Sequence, residues 1–316
     1  MRDFLEPRLF LIAETVFSYA ALLLTASVAG FPISFEEWPY GVAVLAAIIF
    51  AADVLALRFK FYTLRTAIEC CGFGVLLIVP ITLSTYLATW MNFPLADLQL
   101  SRWDRSLGVN WTAMMGWIDQ HPLLAEALNK AYRSFALQLL IFPLLLALAG
   151  KHVRAYQMVA AYGLLCFLSS AVSISFPALG TYSHYQFDAR SLEHIDATYG
   201  YFFLEQFHAV RNDPGFVWRL KESIGILTFP SVHAAVAVLC AWALWPLIWL
   251  RYPALLLNLA MGFSAVPAAN HYVVDVIAGV VVALAAIGAV TYVTGPSRRE
   301  LPSLSGPAPA ASAIAQ

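Results

Sequence analysis

Long uninterrupted runs of apolar residues dominate this 316-residue sequence. A helix crosses the hydrocarbon core of a bilayer with about 20 mostly apolar residues, and runs of about that length recur along the chain. Only 12% of the residues are charged, against about 25% in soluble domains. The pattern predicts an all-α, polytopic integral membrane protein with about eight transmembrane helices. The predicted spans are residues 9–29, 41–57, 68–90, 123–149, 153–178, 230–250, 254–269 and 271–294.

The charge balance and the cysteines argue against nucleic acid as a partner and against a metal site. The 18 Lys and Arg residues nearly balance the 19 Asp and Glu residues, so no basic surface indicates nucleic-acid binding. The four cysteines lie inside apolar runs, and no two of them have the spacing of a metal site. We therefore expect neither a metal nor another cofactor. The expected partners are the bilayer and a membrane lipid substrate.

Lysine and arginine mark every second connection between the predicted spans. Short basic connections occupy residues 58–67 and 150–154, and Arg251 follows the sixth span. Short basic loops stay on the cytoplasmic side, so both chain ends are predicted to be cytoplasmic. The long connections, about 91–122 and 179–229, are then predicted to lie outside. We expect a bacterial inner (plasma) membrane.

A first polar string opens the sixth span. It runs Phe229-Pro230-Ser231-Val232-His233, and Pro230 suits the first position of a helix. Unpaired N–H groups and the helix dipole favour an anion at such a helix start. Ser231 can donate its hydroxyl there, and His233 can donate a proton. The alternative is that Ser231 only caps the helix and His233 is a polar residue at headgroup depth.

A second polar string, residues 270–275, opens the eighth span. His271 and Asp275 are four residues apart, which predicts that they share one face of a helix. A carboxylate that engages one ring nitrogen leaves the other free and more basic, as a nucleophile or general base requires. A plain helix-start pair and a metal site remain alternatives, although no further ligands stand at recognisable spacing. Both strings open spans on the same side, so His233 and His271 are predicted to lie at equal depth.

Together the two strings resemble the type 2 phosphatidic acid phosphatase superfamily, which has a Pro-Ser-x-His block and a later His-x-x-x-Asp block. Residues 228–235 and 271–279 are similar to its branch of inositol phosphotransferases related to inositol phosphorylceramide synthase. The His-Tyr-x-x-Asp form is also similar to sphingomyelin synthases. Residues 104–111 resemble that branch more weakly.

The resemblance implies a role for each matching residue. His271 would attack phosphorus and carry a phosphohistidine, while Asp275 would orient it and stabilise its positive charge. His233 would protonate the leaving oxygen, and Ser231 would help to hold the phosphate oxygens.

The sequence departs from the commoner phosphatase blocks in its cations. Ala265 stands where they carry Arg, Val232 stands where they carry Gly, and no clean Lys-x6-Arg-Pro block is present. Phosphoryl transfer needs cationic groups around the phosphate, so other residues must supply them. The candidates are Arg211, Lys130 and Arg133. The alternative for each is contact with lipid headgroups or a solvated face.

The depth of the site predicts a lipid substrate whose headgroup phosphate is reached at the extracytoplasmic face, and the resemblance implies a membrane phosphotransferase, with phosphoinositol transfer to a lipid alcohol as the specific form. One alternative is a lipid phosphate phosphatase of the phosphatidic acid or polyprenyl diphosphate type. Another is a non-catalytic lipid-binding or transport protein. The predicted parts are N-terminal transmembrane helices with an outer loop (1–122), a catalytic bundle (123–294) and a flexible cytoplasmic tail (295–316).

Overall fold

The computed structural model describes residues 5–36 and 38–295. The predicted tail from residue 296 onwards lies outside the described residues. Within them the fold is all-helical, and an isolated bridge between Ile33 and Trp218 is the one β contact recorded. The helices are α1 (Pro7–Val28), α2 (Trp38–Phe59), α3 (Tyr62–Leu76), α4 (Ile78–Trp90), α5 (Asp97–Ser106), α6 (Trp111–Asp119), α7 (Pro122–Arg133), α8 (Phe135–Leu148), α9 (His152–Ser175), α10 (Thr181–His184), α11 (Leu204–Asn212), α12 (Val232–Leu244), α13 (Arg251–Ala269) and α14 (Val273–Thr294).

Six of these segments are long and apolar enough to cross a membrane. They are α1, α2, α3 continued by α4, α9, α13 and α14. The predicted fourth span is instead a pair, α7 and α8, bent by 57°, and the predicted sixth span is the 13-residue helix α12. For these two segments a full crossing of the membrane stays a prediction, and so does the total of eight spans.

The bend between α7 and α8 follows from their different compositions. Helix α7 carries Glu126, Lys130 and Arg133, and all three side chains are exposed. Helix α8 has no charged residue. A helix with a charged face belongs at a polar surface, whereas an entirely apolar helix belongs inside a bundle or a bilayer. The chain therefore turns at Ser134, between the two helices.

Helix α9 lies at the centre of the bundle. It packs against α1, α3, α4, α8, α12 and α14. Small residues on α9, among them Ala160, Ala161 and Gly163, allow these close approaches. A Cβ on Gly163 would lie 2.7 Å from Oε1 of Glu14 on α1. The bundle is thus built around one helix with neighbours on every side.

A largely buried ionic network ties four helices together near the start of α9. Arg8 donates to Glu69 at 2.9 Å and lies 3.2 Å from Asp53. Arg65 donates to Asp53 at 2.5 Å, and the Tyr156 hydroxyl donates to Glu69 at 2.5 Å. Both carboxylates are thereby paired with guanidinium groups, as buried charges require. The network fixes α1, α2 and α3 against α9.

The two long connections cover the opposite end of the bundle. The amide of Ala96 donates to the carbonyl oxygen of Pro177 at 2.8 Å, and the Thr228 hydroxyl donates to that of Ala178 at 2.7 Å. The Asp97 carboxylate accepts the amides of Leu179 and Gly180. Helices α5, α6, α10 and α11 form much of this cover. The starts of α12 and α14 lie at this same end.

Candidate active site

His271 and Asp275 are in contact, but not in the way that their spacing predicts. Helix α13 ends at Ala269, and Asn270 adopts a left-handed conformation with φ 68°. His271 lies in the link that follows, and α14 begins only at Val273. The two residues therefore do not share a helical face, and that prediction is wrong. Their contact depends on the sharp turn between two helices.

The start of α14 positions the His271 ring. Oδ2 of Asp275 accepts the Tyr272 amide at 3.0 Å, as a carboxylate at the third helical position commonly does. The same oxygen lies 3.1 Å from Nδ1 of His271. With a carboxylate as acceptor, Nδ1 carries the proton, and Nε2 keeps its lone pair. Asp275 is completely buried, and its Oδ1 has no hydrogen-bond partner among the described residues.

Ser231 is a helix cap rather than part of a cavity wall. It precedes α12, and its Oγ accepts the Ala234 amide at 3.4 Å. The residue is 0% exposed and does not line the cavity described below. Pro230 lies before the cap, so the prediction that it is the first helical residue is wrong. The Ser231 hydroxyl thus acts as a capping group in the structure, and its contact with phosphate oxygens stays a prediction.

Two aromatic rings hold the imidazole of His233. Its ring stacks on Tyr132 with centroids 4.1 Å apart and planes 13° apart. The centre of the Phe135 ring lies 4.4 Å from the centre of the imidazole. These contacts come from both sides of the bend between α7 and α8, so that bend sets the plane of the imidazole.

His233 and His271 line one cavity of about 450 Å³. About half of its lining residues carry a polar side-chain group, namely three threonines, three tyrosines, one serine, Arg133 and the two histidines. Sequence reasoning placed the two histidines at one depth, and the structure brings them to one cavity. The lining residues are Ile81, Thr82, Thr85, Tyr132, Arg133, Phe135, Ala136, Tyr162, Cys166, Tyr199, Phe202, Phe203, Ser223, Ile224, Gly225, Leu227, Thr228, Val232, His233, Ala269 and His271.

Of the three candidate cations, the structure places Arg133 at this cavity. Its guanidinium forms an ion pair with Asp196, which comes from the long connection covering the site. A hydrogen bond from the Thr198 side chain, followed by others from the Thr198 amide and Arg133, keeps the pKa of the Asp196 carboxyl below its ordinary value. Arg133 therefore faces an ionised partner at neutral pH.

The other two candidates lie elsewhere. Lys130 is 75% exposed and forms an ion pair with Glu126 at 2.6 Å, one turn earlier on α7. Arg211 donates to the carbonyl oxygen of Phe93 at 2.8 Å and stacks over Phe207. These contacts hold it between the two outer connections, so neither side chain lines the cavity.

Asp104 braces the start of α14, a role that sequence reasoning missed. Its two carboxylate oxygens accept the amides of Val273 and Val274, each at 2.9 Å. The side chain is completely buried, and burial raises its pKa more than these two hydrogen bonds lower it. Asp104 lies in the stretch that weakly resembles the inositol phosphotransferase branch, which is the one signal that could have found it.

Asp97 and Asn270 brace the residues on either side of His271. The Tyr272 hydroxyl donates to Asp97 at 3.1 Å. Burial is the main cause that raises the pKa of this hydroxyl, and the negative charge of Asp97 raises it further. The Asn270 side chain donates to the carbonyl oxygens of Leu179 and Gly200 and accepts the Tyr182 amide. Both neighbours of His271 are therefore tied to the outer connections. No local sequence pattern indicates such distant bonds.

Gly279 allows the two polar strings to meet. A Cβ at this position would lie 2.3 Å from the carbonyl oxygen of Ser231 and 3.2 Å from the amide nitrogen of Ala235. No side chain fits at such a distance. The close packing of α12 on α14 therefore requires glycine here, and the Ser231 amide donates to the carbonyl oxygen of Asp275 at 3.0 Å.

Comparison with protein families identifies the group to which this architecture belongs. Residues 98–289, which are more than half of the chain, match the family model of the PAP2 superfamily. The chain belongs to the PAP2 superfamily. Membership indicates phosphatase or phosphotransferase activity on phosphate esters. No curated protein and no solved structure matches the chain.

The PAP2 match covers both polar strings and the bracing residues Asp104 and Asn270. It begins within α5, so helices α1 to α4 lie before the matched region. The match is to the superfamily as a whole, and the inositol phosphotransferase branch stays a prediction. In the described ranges, 5–36 and 38–295, no group of three His, Cys, Asp or Glu side chains is arranged to hold a metal ion.

Proposed function

We propose that the protein is a membrane phosphotransferase that acts on the phosphate of a lipid headgroup, with His271 as the nucleophile. The lone pair of Nε2 attacks phosphorus while the bond from phosphorus to the leaving oxygen breaks. The leaving oxygen keeps that electron pair and takes a proton from His233. The product of this half-reaction is a phosphohistidine, and the Asp275 carboxylate balances the positive charge on the ring.

The second half-reaction reverses these roles. His233, now neutral, takes the proton of an acceptor hydroxyl as that oxygen attacks phosphorus. The bond between phosphorus and Nε2 breaks, and its electron pair returns to the His271 ring. The single observation that carries the proposal is the convergence of both imidazoles on one cavity, with Nδ1 of His271 3.1 Å from Asp275. A general acid and a nucleophile must both reach one phosphorus atom.

Arg133 is proposed as the cation that binds the phosphate oxygens. It lines the same cavity, and its ion pair with Asp196 holds it in place before substrate binds. A guanidinium matches two phosphate oxygens at once, which suits a site that lacks the arginine of the commoner phosphatase blocks. The residue at the position of that missing arginine, Ala265, is completely buried inside α13.

A lipid substrate is supported by a second, apolar cavity of about 290 Å³ next to the first. The two cavities share Phe135, Ala136 and Tyr162 as wall residues. The second cavity lies between α3, α8 and α9 and opens to the outside of the bundle, where Val75, Ile78 and Leu140 on its wall are about half exposed. A phosphate at the histidines and an acyl chain along α8 would thus occupy adjoining cavities.

The natural membrane and the orientation of the site belong to the same proposal. The basic short connections favour a cytoplasmic position for the end of the bundle that carries Arg58, Lys151 and Arg251. The histidines lie at the other end, which favours an extracytoplasmic site in a bacterial inner membrane. A lipid of the outer leaflet would then reach the cavity.

Trapping of the covalent intermediate tests the proposal. Purified protein would be given labelled phosphatidylinositol with or without ceramide, and separately labelled phosphatidic acid or undecaprenyl diphosphate, then quenched in alkali. We expect acid-labile label on the wild-type protein and none on His271→Gln. Absence of label and of turnover with every donor would contradict the proposal and favour a non-catalytic lipid-binding protein.

The same assay separates transfer from hydrolysis. Label that moves to ceramide supports the phosphotransferase. Release of inorganic phosphate in the absence of an alcohol acceptor supports a lipid phosphate phosphatase, the activity typical of the superfamily. Both outcomes share the first half-reaction, so the role of His271 is tested independently of the acceptor.

A further inference from the structure

A large groove lies on the side of the bundle away from the catalytic cavity. It has a volume of about 760 Å³ and runs between α12, α13 and α14, with Arg154 of α9 at one end. It shares no lining residue with the catalytic cavity. The lining residues are Arg154, Ala234, Ala237, Val238, Ala241, Trp242, Trp245, Leu255, Asn258, Leu259, Gly262, Phe263, Val276 and Val280.

Two arginines stack on the tryptophans at one end of this groove. The Arg154 guanidinium lies 3.8 Å from the centre of the Trp242 ring, and that of Arg251 lies 5.3 Å from Trp245. Both tryptophans line the groove. Nε and Nη1 of Arg154 and Nε of Arg251 are buried and have no hydrogen-bond partner among the described residues. Stacking holds each guanidinium in place while leaving these N–H groups unused.

Buried N–H groups of a cation call for an anion. An unpaired buried charge is unfavourable, and a charge-assisted hydrogen bond removes much of that cost. No carboxylate forms an ion pair with either arginine within the described part of the chain. A phosphate group, by contrast, accepts several N–H bonds at once from guanidinium groups.

The rest of the groove fits an acyl chain. Apart from Asn258 it is lined by small and apolar side chains over the length of α12, which is about 20 Å for 13 residues. Leu259 and Phe263 on its rim are 61% and 43% exposed, so the groove opens to the outside of the bundle rather than to its interior. In a membrane this side faces lipid. The groove therefore offers adjoining places for an anionic headgroup and for an acyl chain to bind.

We propose that this groove binds an anionic phospholipid, with the phosphate at Arg154 and Arg251 and an acyl chain along α12. The site lies at the end of α12 opposite His233, so the bound lipid belongs to the other leaflet from the proposed substrate. A lipid bound there stabilises the fold and lies outside the catalytic cavity. This inference does not depend on the proposed catalytic function.

Lipid-dependent thermal unfolding of the full chain tests the site. Purified protein in neutral detergent would be titrated with dioleoylphosphatidylglycerol, with dioleoylphosphatidylcholine, or with inorganic phosphate, and the Tm followed. We expect a larger Tm increase with phosphatidylglycerol than with phosphatidylcholine and none with free phosphate. Arg154→Gln and Arg251→Gln should each weaken the apparent affinity for phosphatidylglycerol about tenfold, because each loses a charge-assisted hydrogen bond.

Arg58→Gln is the matched control, because Arg58 is exposed at the same end of the bundle but lies outside the groove. It should leave the phosphatidylglycerol effect unchanged. Equal stabilisation by both lipids, an equal effect of free phosphate, or an unchanged response in both arginine variants would each overturn the proposal.

A second variant tests the groove without removing a charge, in case the arginine variants do not fold. Ala241→Leu fills the groove beside Trp242 and should reduce phosphatidylglycerol retention in native mass spectrometry by about tenfold, since the leucine displaces methylene groups of the bound chain. Retention of one phosphatidylglycerol by Ala241→Leu as by the wild type would overturn the proposed path of the acyl chain.

Discussion

The backbone amide of Ser231 donates to the carbonyl oxygen of Asp275, 44 positions later, at 3.0 Å, and this bond joins the two polar strings. This bond connects the cap of α12 to the first turn of α14. His233 follows the cap of one helix, and His271 precedes the cap of the other. The relative position of the two imidazoles therefore depends on how closely α12 and α14 approach.

We expect Gly279→Ala to separate these helices. The added Cβ would meet the Ser231 carbonyl oxygen at 2.3 Å, and a backbone atom cannot move aside as a flexible side chain can. Overpacking of this kind costs about 1–3 kcal/mol. Thermal melting should show a lower Tm, and turnover should fall with it. Gly288→Ala, on the same helix with no atom within 4 Å of the new Cβ, should be neutral or stabilising. Equal Tm values for both variants would contradict this account of Gly279.

The two polar strings and the apolar runs were readable because each is a local pattern. Apolar runs of about 20 residues located the six long spans, and the common side of the two strings placed His233 and His271 together. The path of the chain around His271 could not be predicted from the sequence. It depends on the left-handed conformation of Asn270 and on the hydrogen bonds of the Asn270 side chain. Asp97 and Asp104 act on residues more than 160 positions away, a distance at which periodicity carries no information.

The sequence also could not show which candidate cation lies at the cavity. Lys130 and Arg133 stand three positions apart on α7, where either could turn towards the bundle. The 57° bend after α7 and the partner Asp196 decide that Arg133 is at the cavity. Both depend on segments that are distant in sequence.

Arg133→Gln should lower kcat about 100-fold or more, because loss of one group that stabilises charge in the transition state commonly has an effect of that size. The measurement is turnover of the labelled phospholipid that serves as donor. Lys130→Gln is the matched control from the same helix, and it should leave kcat unchanged, since Lys130 pairs with Glu126 outside the cavity. A larger loss in Lys130→Gln than in Arg133→Gln would reverse the assignment.

The connection that carries Asp196 should loosen in acid. Partial burial raises the pKa of the Asp119 carboxyl, but the amides of Glu193, His194 and Ile195 outweigh burial and hold it below its ordinary value. A lowered pKa in the folded state stabilises the fold above the unfolded pKa of about 3.9, and this contribution is lost as the pH falls through the folded value. Tm measured between pH 3 and pH 6 should thus fall less steeply in Asp119→Asn than in the wild type. Parallel pH profiles would exclude this contribution.

Gly74→Leu should change the preferred chain length of the substrate. Gly74 of α3 lines the apolar cavity next to the catalytic one, and a Cβ there would have only Val159 Cγ1 nearby, at 4.0 Å. A leucine therefore projects into the cavity without strain and displaces part of an acyl chain. Loss of about two buried methylene groups corresponds to about 1.6 kcal/mol, or more than tenfold in kcat/KM for a substrate with two 18-carbon chains.

A substrate with two 8-carbon chains should react with Gly74→Leu as it does with the wild type, which shows that the histidines are intact. Gly288→Leu, on the outer side of α14, provides the matched control and should alter neither rate. If Gly74→Leu lowers kcat/KM for both substrates equally, the cavity beside α3 does not hold the acyl chain.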